Sequence, residues 1–97
     1  MEEVKLSLSE LIDCSEEVFR DFCADKDLGY ISGLHNLFML TFNEVKQVKD
    51  DLVVKMAQKD EIVQVERDTL NGLYAKLLRI EHRVFLLREC IDSRKLQ

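Results

Sequence analysis

The chain has 97 residues, enough for one small domain and, as a compact globule, only a thin core. Apolar residues make up 46% and charged residues 34%, with three glycines and no proline; this excludes a disordered chain and suits long uninterrupted helices. The net charge of −5 argues against a general nucleic-acid binder, whose footprint is normally basic.

The charge is unevenly spread. Residues 1–27 hold nine acids against three bases, 28–66 six against four, and 67–97 four against seven. An acidic start and a basic end can attract each other within a chain or between two chains, although two solvated faces are the simpler reading. Three cysteines, Cys14, Cys23 and Cys90, form no CxxC motif and no even-numbered framework. They fit a reducing, intracellular compartment, cytoplasmic or nuclear, with thiols acting as small apolar side chains. The first residues, Met1 to Lys5, lack the character of a signal peptide, and no apolar run approaches the ~18 residues of a membrane span.

Elements in chain order predict an all-α fold in a single helical domain, 1–97. The first segment, 1–29, is an acidic helix and loop. Ser7 with Glu10 forms a capping-box pattern, and Leu8, Leu11, Ile12, Val18, Phe19 and Phe22 line one helical face. The helix is expected to stop in Asp25–Gly29, where Asp and Gly favour a turn.

A second helix, 30–69, opens between Tyr30 and Gly33 and runs through Leu34, Phe38, Phe42, Val45, Val48 and Leu52. Its broad apolar face suits more than one neighbour. The first helix folding back on it makes an N-terminal hairpin, with Leu11, Val18, Phe19, Phe22, Leu34, Phe38, Phe42 and Val45 as its core. The four-residue step from Leu52 to Met56 is a stutter, and Lys59 and Glu66 fall at seam positions, so 56–66 is the weakest stretch.

The third segment, 70–97, carries a heptad seam. Leu70, Leu73, Leu77, Ile80, Val84, Leu87 and Ile91 recur at alternating steps of three and four, with Lys76 and Glu81 flanking it at g and e. Such a seam is expected to meet a partner helix as a coiled coil. Leu78, Phe85 and Leu86 are apolar outside the seam, which points to packing on two sides and favours a hetero-oligomer over a plain homodimer. Asn71-Gly72 is a turn signal, yet the heptad phase passes through it unbroken. One long helix through Gly72 is the favoured reading, and a three-helix bundle turning at Asn71-Gly72 is the alternative.

No residue set spells out a reaction. His35 and His82 have no Cys, His or Asp partner at metal-ligand helical spacing. Asp50-Asp51 and Asp60-Glu61 lie on a helix exterior without the cleft that acid–base work needs. Lys76, Arg79, Arg83, Arg88, Arg94 and Lys95 form a basic stripe interleaved with Glu81, Glu89 and Asp92, an exposed coiled-coil flank rather than a phosphate track. No catalytic residue, metal or cofactor is expected. The function expected is association: a non-enzymatic scaffold subunit of a larger intracellular complex, or alternatively a three-helix adaptor for a peptide or helix of a partner protein.

Two resemblances agree with that class. Thr69, Leu70, Leu77, His82, Cys90 and Asp92 are similar to the coiled-coil subunit of the THO mRNA-export complex, after a one-residue shift and with Leu78-Arg79 where that family has Tyr-Glu. Phe19 to Phe22 with Leu34 and Phe38 resembles the helical-hairpin head of a small Mis-twelve-type kinetochore subunit, without the proline common in that family's loop. Both resemblances imply a nuclear scaffold subunit that pairs with other coiled-coil chains.

Overall fold

The computed structural model describes residues 7–59, 61 and 63–95. Four helices follow in order: α1 (Leu8–Asp13), α2 (Glu16–Ala24), α3 (Leu28–Ala57) and α4 (Gln64–Lys95). Strands are absent among the described residues, so the protein is an all-α helical bundle. No helix among them is long and apolar enough to cross a membrane.

Each start has a local cause. Ser7 accepts from the Glu10 backbone N–H at 3.2 Å while its hydroxyl donates to the Glu10 carboxylate, so the predicted N-cap forms. Ser15 repeats the device with Val18, and Asp27 does so with Tyr30 at 2.7 Å. These two caps explain two departures from expectation. The first helix is cut in two at Cys14–Ser15, and the second opens at Leu28 rather than after Tyr30. An acceptor side chain that satisfies a free backbone N–H sets the boundary more firmly than the glycine at 29, which sits inside α3.

The largest correction concerns the long helix. The helix does pass through Gly72 without a break, since α4 runs unbroken across Asn71 and Gly72 and no turn forms there, but it is not one helix from residue 30 onward, because α3 ends at Ala57. The chain reverses between Ala57 and Gln64 instead, in the stretch where the seam pattern is weakest. Lys59 and Glu66 do not face a partner helix there; they pair across the turn at 2.8 Å. The end of α3 tightens through bonds from the Gln58 and Lys59 amides to the Lys55 and Met56 carbonyls. A hairpin closes where interrupting it sacrifices least apolar burial. That place follows the stutter, where Lys59 and Glu66 interrupt the apolar pattern, since breaking at Gly72 would part Leu70 from Leu73.

α3 and α4 therefore lie antiparallel, as two contacts show. Arg88 meets His35 near one end, and Lys49 lies over the Tyr74 ring nearer the other. At ~1.5 Å per residue these helices are about 45 and 48 Å long, and the molecule measures 56 × 29 × 17 Å. Its radius of gyration is 16.6 Å, against about 12–13 Å for a compact domain of this length. The short helices α1 and α2 pack on one face near the end holding the start of α3 and the end of α4. One core cluster forms there, joining Leu11, Ile12, Phe19 and Cys23 to Ile31, Leu34 and Phe38 and to Ile80, Val84, Leu86 and Leu87.

Candidate protein-interaction surface

The predicted interface residues separate into two groups. Leu77, Ile80, Val84 and Leu87 are buried, and Leu70, Leu73 and Ile91 half-buried, within the chain itself. The seam expected to recruit a partner helix has found one in α3. Its regular apolar spacing supplies the core of the hairpin, because a short connection makes the chain's own helix the neighbour at highest effective concentration. Leu78 and Phe85 behave differently: 68% and 57% exposed, they remain on the surface.

Among the hairpin-core residues, Leu11, Phe19, Leu34 and Phe38 are buried and Val45 is half-buried. Phe19 meets Phe38 edge to face, with ring centroids 6.0 Å apart at 89°. Phe22 turns to Tyr30 rather than Phe42, at 6.1 Å, with the Lys26 ammonium over both rings. Val18 is exposed, a correction: the break at Ser15 rotates α2 so that Phe19 and Cys23 take its inner face. Phe42 lies across α3, in a groove of about 260 Å³ on the side away from α2, with Met39, Val84 and Phe85 and with Glu81 and Arg88 at its rim.

Two arginines placed in the solvent-facing stripe by sequence lie elsewhere. Arg83 is buried; its Nε donates to the Leu11 carbonyl at 3.2 Å and its Nη2 to the Cys14 carbonyl, while the guanidinium lies 5.1 Å from the Phe19 ring centroid. Arg94 donates to the carbonyls of Cys23 at 2.8 Å, Ala24 at 3.4 Å and Lys26. Neither α1 nor α2 has a basic residue in its last turn, so α4 provides the cation at each C-terminus. Three helical turns separate the two arginines, which places them on one face. Sequence carries a faint sign of this in that spacing, but nothing in it shows that two helix ends await there.

The acidic start and the basic end do meet. Arg79 pairs with Asp13 at 3.3 Å, Arg20 with Glu89 at 3.3 Å, and His82 approaches Glu16 at 3.7 Å. All are exposed and contribute little individually. Glu16 is held below the usual carboxylate range, chiefly by its hydrogen bond from Arg20. The three cysteines are free thiols. Burial, reinforced by the neighbouring Cys90, pushes the Cys23 thiol up to about 11, so it packs as a neutral apolar group. Cys23 and Cys90 line a second groove of about 290 Å³ between α2 and α4, which also holds Phe19, Leu86 and Ser93. Among the described residues no three His, Cys, Asp or Glu side chains gather where they could hold a metal ion.

What remains on the outer face of α4 is a line of apolar side chains at helical spacing. Tyr74, Leu78 and Phe85 are 46%, 68% and 57% exposed, and Phe85 lines the Met39–Phe42 groove. The third apolar residue outside the seam, Leu86, is buried against α2. Comparison with protein families, with curated proteins and with solved structures returns no match for this chain. The two resemblances drawn from the sequence gain no support from it.

Proposed function

We propose that this chain is a non-enzymatic interaction subunit that docks a helix of a protein partner on the outer face of its α3–α4 hairpin, inside a larger intracellular assembly. One observation supports this above others: Tyr74, Leu78 and Phe85 form an exposed apolar line at helical spacing, and Phe85 at its end lines a groove with Met39 and Phe42. Large side chains left wet along one helical face match the i, i+4 anchor pattern by which helices lie in grooves. Leu78 and Phe85 are the two of the nine sequence-assigned interface residues that are exposed, and they are still free to serve. Catalysis has less to stand on, since the displaced carboxylate Glu16 sits in a surface ion pair rather than in a cleft. With the seam closed inside the chain, the preference for a different chain over a second copy loses the ground it stood on.

The test is the double variant Leu78→Asp, Phe85→Asp. Both positions are exposed, so helicity by circular dichroism stays that of the native chain. Size-exclusion of cell extracts is expected to show the native chain in a large complex and the variant as a free small species. A variant that co-elutes with the same complex overturns the reading.

A further inference from the structure

We infer that the occupant of this face is a second copy of the chain, lying with its α4 antiparallel to the first; this rests on the docking reading above and names its partner. Steps of four and three along α4 connect Arg67, Asn71, Tyr74, Leu78, Glu81, Phe85, Arg88 and Asp92, all exposed and together forming a second stripe along one flank of α4, where Tyr74 and Arg88 also reach Lys49 and His35 of α3. That stripe is self-complementary when reversed. An antiparallel pair centred on the midpoint of α4, between Arg79 and Ile80, sets Tyr74 against Phe85 of the second copy and Phe85 against Tyr74. The same register sets Arg67 against Asp92 of the second copy at one end and Asp92 against Arg67 at the other.

Reversal also preserves the order of steps, four then three, so every layer stays in phase along the stripe. At the centre each Leu78 faces Glu81 of the second copy, whose methylenes can cover it while the carboxylate reaches water. Asn71 and Arg88 form the remaining layer without a clash of charge. Two aromatic pairs inside and two opposite-charge pairs outside give an isologous interface of apolar centre and polar rim. Because the register spans the whole of α4, it lays the half of α4 backed by α1 and α2 as well as α3 beside the half of the second copy that α3 alone backs.

Light scattering of the purified chain across a wide concentration range tests this. The expected result is a rise from the 11.4 kDa chain to twice that mass. Phe85→Asp abolishes the rise with helicity unchanged. Arg67→Asp alone, or Asp92→Arg alone, weakens dimerisation roughly tenfold by setting like charges opposite each other. The double variant carrying both restores it, which a parallel pair or a different register does not predict. A native chain that stays monomeric throughout overturns the second copy and leaves the docking face to a different protein. A dimer untouched by Phe85→Asp forms through another face and overturns this inference, while the docking reading is decided by the extract experiment above. A dimer that the charge exchange fails to restore overturns the antiparallel pairing.

Discussion

The two ends of the hairpin are built from the same two helices but are held differently. At the head, α1 and α2 add a third layer, and Phe19, Ile31, Phe38, Ile80 and Leu87 are completely enclosed. Along the arm, where α3 runs to Ala57 and α4 begins, two helices face each other alone. Leu52, Leu70 and Leu73 are only half-buried there, and Val48, Val54 and Val65 are exposed. A two-helix contact can shield one stripe per helix, so a broad apolar face is only partly covered unless something joins it. The head meets that need within the chain. The arm meets it less completely, and the stripe from Tyr74 to Phe85 crosses from one region to the other.

Replacing core residues breaks the comparison most sharply. Phe19→Ala removes an enclosed aromatic and its edge-to-face partner, and is expected to cost about 3–5 kcal/mol. Leu73→Ala on the arm removes a half-buried side chain and is expected to cost about 1–2 kcal/mol. Urea unfolding followed by circular dichroism gives both figures, and equal losses would mean that the arm is as well packed as the head.

The arginine clamps come next. Arg83→Met keeps much of the stem but leaves the Leu11 and Cys14 carbonyls without their charged donor, for an expected loss of about 1.5–3 kcal/mol. Arg83→Lys is not expected to rescue it, because an ammonium cannot bridge two carbonyls as the planar guanidinium does. Amide exchange sharpens the point: protection is lost first in α1, with the arm unaffected. Uniform loss along α4 would show that Arg83 stabilises the hairpin rather than the added layer.

The smallest expected effect is a gain. Gly72 lies exposed on the arm with helical backbone, and a Cβ built there meets nothing within 4 Å. Gly72→Ala is therefore expected to stabilise by up to ~1 kcal/mol, from helix propensity and a less disordered unfolded chain. Thermal unfolding would register it as a modest rise in Tm, whereas a fall would place a turn at Asn71-Gly72 after all.

Several parts of this architecture are legible in residue order alone. Heptad spacing from Leu70 to Ile91 and the 3.6-residue pattern around Phe38 declare helices, because burial of one face needs that periodicity. The Ser7–Glu10 box marks a helix start, and the stutter with Lys59 and Glu66 marks the weak point where the chain turns back. Asn71-Gly72 misleads for a physical reason: a turn dipeptide is a local preference of about 1 kcal/mol, and the apolar residues on either side of it outweigh that when buried together. Ser15 and Asp27 were readable as caps as well, but a polar residue becomes a cap only where the chain must change direction, and that need is set by packing.

What the candidate interface consists of follows the same division. The presence of apolar residues outside the seam, Leu78, Phe85 and Leu86, is written in the sequence, since spacing fixes which side of a helix each occupies. Which of them stays wet is decided by tertiary structure. Only the placement of α2 against α4 buries Leu86 and leaves the other two facing outward, and only the reversal of direction from α3 to α4 makes the seam an internal contact. Periodicity specifies that a helix has an apolar face. Whether that face meets its own chain or another is a question of which surface the connection brings within reach first.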